Sequence, residues 1–215
     1  NLDDQFDNWL AINTQHNEQV WCKRLPVALG ASEQTIIRKT INRHKGLIHP
    51  RILRTLELVR WHGVDVLICQ HLDSLHTFRL NQSFHNAWPI LRQLLEVLDY
   101  VHSINLVHGD IKDDQFFLVD ASSAIVLGDF GTAWKLVDAD GVALRLGGRD
   151  ELMTRRAGVG HYKAPEVRGR ARADGNPLLR EVYAKAEGFS VGIVMCTLLG
   201  VLSDGDVFDR LSDTH

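Results

Sequence analysis

An α+β fold, with a small β-rich lobe ahead of the helical part, is what this sequence predicts, and three observations predict it. Before residue 72 the chain is filled by short β-type segments joined by polar turns. Residues 88–103, WPILRQLLEVLDYVHS, then repeat apolar side chains at three and four (Ile90, Leu94, Leu95, Leu98, Val101), the spacing of an amphipathic helix. Finally, 189–202, FSVGIVMCTLLGVL, is apolar but shorter than the roughly 20 residues a bilayer requires, so it reads as a buried core helix. Strands first and helices later favour α+β over an alternating α/β arrangement.

The elements follow in order. WLAIN at 9–13 and QVWCKRL at 19–25 form an antiparallel hairpin around the polar turn TQHNE. Pro26 and Gly30 interrupt the chain. Ser32 caps a helix running to about residue 45, with Ile36, Ile37 and Ile41 near one face. His49-Pro50 ends it. Strands at 52–59 and 64–69 flank the turn residues His62-Gly63. Pro89 is placed near the first turn of the amphipathic helix. FFLV and AIVL, separated by ASS, make a second small hairpin. An irregular stretch from 131 to 166 leads to the buried helix at about 185–200.

Composition bounds the function. The 215 residues, 45% hydrophobic and 24% charged, are those of an ordinary globular protein, and a net charge of −3 argues against broad nucleic-acid binding, which needs a basic excess. The acidic start NLDDQFDNW lacks the basic-then-apolar order of a signal peptide. Cys22, Cys69 and Cys196 stand far apart in apolar surroundings and read as free thiols of a reducing compartment, so a cytoplasmic location is expected. The eleven histidines show no paired metal-ligand spacing.

The chemistry is concentrated in VHGDIKDDQFFLVDASSAIVLGDFGTAW at 107–134. Asp110 lies on the loop after the long helix, and Asp129 ends the second strand of the small hairpin. A hairpin returns its two ends to one place, so both carboxylates can face one cleft. Two carboxylates with a Lys and a side-chain amide nearby suit a divalent metal and a phosphate group, one acid accepting a proton from a hydroxyl while the other holds the metal.

HGDIKDDQ at 108–115 resembles the catalytic loop of protein kinases, H-R-D-L-x-x-x-N, and Asp129-Phe130-Gly131 matches that family's DFG motif. Ala164-Pro165-Glu166 in GVGHYKAPEV resembles the end of a kinase activation segment. KAEGFSVGI at 185–193 looks like the start of the buried helix that follows it, with Glu187 where the family usually has Asp. Val20-Trp21-Cys22-Lys23 resembles the V-A-I-K strand, and His49-Pro50 the link from the regulatory helix to the next strand. The resemblance spans roughly residues 9–205.

It implies a two-lobed kinase-like fold cut at both ends: an N-lobe over 1–72 with its hinge at 70–72, and a C-lobe over 73–215 carrying the catalytic loop 108–115, the activation segment 129–166 and the buried helix 185–200. It implies ATP and Mg²⁺ as cofactors. Asp110 would be the catalytic base, and Lys112 would offset charge on the transferred phosphoryl group. Asp129, with Gln115, would hold the metal. Lys23 would reach the phosphates, while Gln70, His71, Leu72 and Phe117 would belong to the nucleotide site. A Lys two residues after the Asp is the serine/threonine pattern. A protein substrate or partner is expected, with no nucleic acid and no membrane, and the rest of a longer chain is expected around these residues.

The sequence also departs from the family pattern. Residues 1–8 contain no glycine-rich loop. Trp21 replaces a small Ala, Gln115 replaces Asn, Val159 stands where a Thr is usual, and the regulatory Glu is not evident, Glu33 being a candidate only with a shifted helix. Gly109 replaces the Arg that binds a phosphorylated activation loop, so activity is expected not to depend strongly on activation-loop phosphorylation, with Thr154→Ala as active as wild type. These changes keep a pseudokinase, a binding or scaffolding module of the same fold, in play beside a serine/threonine kinase. The HGD spelling also matches small-molecule phosphotransferases of the aminoglycoside type, but the segment ending in APE favours a protein substrate.

Overall fold

The computed structural model describes residues 8–25, 46–77, 84–119, 124–137, 140–143, 160–165 and 179–201. The chain divides into two compact units, Asn1–Asp73 and Ser74–His215. It is an α+β protein, with its larger sheet in the first unit and both long helices in the second. The helix expected at 32–45 lies outside the described residues, as do Glu33, Thr154 and Val159.

In the first unit, β1 (Asn8–Asn13), β2 (Glu18–Arg24), β3 (Thr55–Trp61) and β4 (Val64–Gln70) form one antiparallel sheet in the order β1-β2-β4-β3. Local chemistry closes each hairpin. Asn13 Oδ1 accepts from the Gln15 N–H at 3.0 Å, and Asn17 takes a left-handed φ of 55° at the end of the first turn. His62 (φ 48°) and Gly63 (φ 82°) form a two-residue turn with both φ positive, the twist that matches paired strands. The third strand starts at Thr55 rather than 52, because the chain turns first: the Ile52 N–H donates to the His49 carbonyl at 3.0 Å.

The period of two along β2 sorts its side chains. Val20 and Cys22 pack with Val66 on one face, against Trp9, Ala11, Val59 and Ile68. Trp21 and Lys23 therefore share the opposite face, where the register sets Trp21 across from Cys69 and Lys23 across from Leu67. Burial pushes the Cys22 thiol above its ordinary value, as expected of an inert core cysteine.

The second unit is organised by α1 (Phe84–Ser103) and α2 (Leu179–Leu198). Ile90, Leu94, Val97, Leu98 and Val101 are buried along one face of α1, each contributing roughly 1.5–3 kcal/mol relative to exposure. Leu95, expected on this stripe, is 46% exposed, and Val97 takes the inner position, one turn on from Leu94. The helix also begins four residues earlier than its apolar period suggests, so Pro89 sits in the second turn. Pro89 is exposed, which leaves the carbonyl its missing N–H would have served on the solvent side.

Two short antiparallel pairs follow: β5 (Leu106–Val107) with β8 (Trp134–Lys135), and β6 (Phe116–Leu118) with β7 (Ile125–Leu127). Gln93 on α1 accepts from the Ile125 N–H at 3.1 Å and so fastens the second hairpin to the helix. The buried helix α2 begins at Leu179, not 185, since LREVYA consists largely of good helix formers. Its Tyr183 and Ala186 close a core with Val107, Trp134, Leu136 and Ala164, the Trp134 and Tyr183 rings meeting edge to face at 4.7 Å.

Candidate active site

The site in the second unit is built by stitching the loop 108–115 to the segment 128–132. His108 is fully buried, and its Nε2–H donates to the Gly128 carbonyl at 2.7 Å, while Nδ1 accepts from the Asp110 N–H at 3.3 Å. These two bonds select the tautomer with its proton on Nε2. The His108 ring meets Phe130 edge-on at 4.8 Å. Thr132 Oγ1 donates to the His108 carbonyl at 3.0 Å, and the Gly128 N–H donates to the Gln115 carbonyl at 2.8 Å. Asp110 and Asp129, which flank these bonds, are thus carried by two backbones fastened to each other.

A third element holds the loop from beneath. Glu187 on α2 is buried; its Oε1 accepts from the Gly109 N–H at 2.7 Å and its Oε2 from His102 Nε2 at 2.6 Å. Gly109 itself has φ +83°, and a Cβ built there would stand 3.1 Å from the Thr132 carbonyl oxygen. Restoring an arginine by Gly109→Arg is therefore expected to destabilise the chain by about 1–2 kcal/mol, seen as a melting temperature a few degrees lower. A variant that melts at or above wild type would show that the backbone accommodates the side chain.

The charges are arranged around Lys112. Its Nζ lies 3.5 Å from Asp110 Oδ2 and 3.2 Å from Asp114 Oδ2. Burial opposes the ammonium charge, but these carboxylates outweigh it and hold the Lys112 pKa above the ordinary lysine value. Burial, opposed by Lys112, pushes the Asp114 carboxyl up. Among the described residues, Asp110 Oδ1 is buried without a hydrogen-bond partner. Asp129 adopts a left-handed conformation (φ 52°, ψ 61°), and its Oδ1 accepts from the Gly131 N–H at 3.4 Å. Gln115 is buried, and its backbone is bonded to that of Gly128, which precedes Asp129; Phe117 is half-buried on β6 opposite Val126.

Of the expected site residues, Asp110, Lys112, Gln115, Phe117 and Asp129 are thus carried by this second unit. Lys23, Gln70, His71 and Leu72 belong to the first, where the Trp21 and His71 rings lie 6.2 Å apart at 35°. Two residues of the second-unit network were missed in the sequence. Glu187 was noted only as a replacement for Asp, and Asp113 was not noted at all. Asp113 is buried and accepts from the Tyr162 hydroxyl at 2.8 Å. No local signal marks either one, since their partners lie far away in sequence. No group of three or more His, Cys, Asp or Glu able to hold a metal occurs among the described residues.

The family model for the protein kinase domain matches residues 9–203. The chain belongs to the protein kinase family. Relatives of this kinase domain include the eIF-2-alpha kinase GCN2 of Schizosaccharomyces pombe, 30% identical over 154 residues, which covers 70% of this chain and 9% of that protein. The serine/threonine-protein kinase chk-1 of Caenorhabditis briggsae is 25% identical over 213 residues, 95% of this chain and 39% of its own length. The CBL-interacting serine/threonine-protein kinase 16 of Arabidopsis thaliana is 34% identical over 195 residues, 88% of this chain and 38% of its own. The chain thus spans less than half the length of each of these relatives. Among its described residues, no helix of the kinase domain is long and apolar enough to cross a membrane.

Proposed function

We propose that this kinase domain transfers the γ-phosphoryl group of Mg·ATP to a serine or threonine hydroxyl of a protein. The observation that carries the reading is Asp110: one carboxylate oxygen is buried and, among the described residues, has no hydrogen-bond partner, while the other lies 3.5 Å from Lys112. An unpartnered acceptor of this kind suits a substrate hydroxyl, whose proton Asp110 accepts as the oxygen attacks. Lys112, kept charged by its two carboxylates, offsets the negative charge that builds on the transferred group.

The donor set fits the cofactor. Asp129 and Gln115 offer hard oxygen ligands on adjoining backbone, and Mg²⁺ commonly takes one or two protein ligands with phosphate oxygens and water completing its shell. When bound, Mg·ATP supplies the phosphoryl group and the metal that neutralises its charge. Lys23 is assigned to the nucleotide phosphates, and Gln70, His71, Leu72 and Phe117 to the base and its surroundings. The relatives chk-1 and CBL-interacting kinase 16, both named serine/threonine-protein kinases, support serine/threonine specificity. Cys22, Cys69 and Cys196, none of them in a disulfide, suit a reducing, cytoplasmic setting.

One observation favours a second reading, a pseudokinase that binds a partner protein without transferring phosphate. Trp21 presents a large indole, 39% exposed, on the same sheet face as Lys23, where the family carries a small residue. Transfer of labelled phosphate from ATP to a Ser/Thr peptide library, with Mg²⁺ and with EDTA, tests the first reading. Metal-dependent incorporation is expected, and equal incorporation in both would overturn it. A melting temperature unmoved by millimolar Mg·ATP would favour the second, because a ligand bound only by the folded state must raise it.

A further inference from the structure

We infer that Asp113 is a positioning residue, through which the loop carrying Asp110 is held in register with the segment 160–165. The inference rests on the proposed transfer to a protein hydroxyl, since it concerns how the base meets its substrate. Asp113 is 5% exposed, and a carboxylate is costly to bury unless its oxygens are hydrogen-bonded. Both are. Oδ1 accepts from the Tyr162 hydroxyl at 2.8 Å and from the Asp114 N–H at 3.1 Å. Oδ2 faces His76 Nδ1 at 2.7 Å, so that nitrogen carries the proton.

Its donors come from three separate segments. Tyr162 is held at both ends, its hydroxyl by Asp113 and its main-chain carbonyl by Ser190 Oγ on α2 at 2.7 Å. His76 follows the fully buried Leu75, and its own N–H donates to Ser74 Oγ at 3.2 Å, so the ring is anchored although 55% exposed. Asp113 differs in this from Asp110. An acid that must receive a substrate proton keeps an acceptor open, as Asp110 Oδ1 does, whereas Asp113 has both oxygens engaged. It lies next to Lys112 and three residues after Asp110, so a shift of Asp113 is felt directly at the base. Val159, three residues before Tyr162, has no hydroxyl to donate to this loop. The Tyr162 phenol supplies a bond of that kind.

The experiment compares wild type with Tyr162→Phe, Asp113→Ala, Asp113→Asn and the Tyr162→Phe/Asp113→Ala double variant, by steady-state phosphorylation of a peptide. Tyr162→Phe removes one charge-assisted hydrogen bond at almost constant volume, and kcat/KM for the peptide is expected to fall about tenfold. The KM for ATP stays unchanged. Asp113→Asn, which still offers an oxygen to Tyr162, recovers most of what Asp113→Ala loses, and the double variant is no worse than Asp113→Ala alone. Losses that multiply in the double variant, or an active wild type indifferent to Tyr162→Phe, would overturn the inference. The fall is expected in protein that stays folded at the assay temperature, and a fall that matches the unfolded fraction in a thermal melt counts against the inference.

If wild type transfers no phosphate, the proposed function fails, and hydrogen exchange still decides the coupling. Faster exchange of the amides at 109–115 in Tyr162→Phe, in step with those at 160–165, supports it. Acceleration confined to 160–165 overturns it.

Discussion

Asp110→Asn is expected to lower phosphoryl transfer about 10²–10⁴-fold, the contribution ordinarily made by a positioned general base, while the chain stays folded. The amide has the size and shape of the carboxylate but cannot accept the hydroxyl proton. Asp110 Oδ1 has no partner among the described residues, so no hydrogen bond there is lost on substitution. Oδ2 gives up only a 3.5 Å interaction with Lys112, and Asp114 at 3.2 Å still holds that ammonium. The melting temperature should therefore move by no more than a few degrees, and initial rates with saturating peptide and Mg·ATP check the chemistry. A variant retaining a third or more of the wild-type rate would remove Asp110 from the role of base.

The second large effect is on stability. Glu187→Ala leaves the buried Gly109 N–H without its 2.7 Å acceptor and takes the carboxylate from His102, which is half-buried. An unpaired buried donor costs about 1–3 kcal/mol, and His102 loses its 2.6 Å partner as well, so a loss on the order of 3 kcal/mol is expected. For a chain of this size that lowers the melting temperature by roughly 6–12 °C. Glu187→Gln retains an oxygen for the Gly109 N–H and should lose much less. Thermal melts of the two variants decide it: an alanine variant within two degrees of wild type, about half a kcal/mol by the same scaling, would mean that the loop does not lean on α2. The link bears on the proposed catalysis because Gly109 immediately precedes Asp110. Its left-handed backbone is held by Glu187, and the Thr132 carbonyl leaves no room there for a side chain.

Much of the site was legible before any coordinates. Asp110, Lys112 and Asp129 stand at short, fixed separations between apolar runs, and a hairpin brings its own ends together whatever the rest of the chain does. The hairpins at 8–24 and 55–70 were readable for the same reason, as Asn17, His62 and Gly63 provide the positive φ values that tight turns require. Helix ends were less legible. The apolar period of α1 starts later than its backbone does, and a period counted on Leu95 gave an exposed residue a buried place that Val97 holds.

The sequence alone determined the family, the order of the described strands and helices, and which acids and lysine are proposed to carry the chemistry, because each depends on neighbours a few residues apart. Only the tertiary structure decided what holds those groups still. Glu187 reaches Gly109 across 78 residues, and Tyr162 reaches Asp113 across 49. Hydrogen bonds of that span leave no periodicity in the chain. They exist only because α2 and the 160–162 turn are packed against the loop, where burial makes each satisfied carboxylate oxygen worth far more than it would be in water.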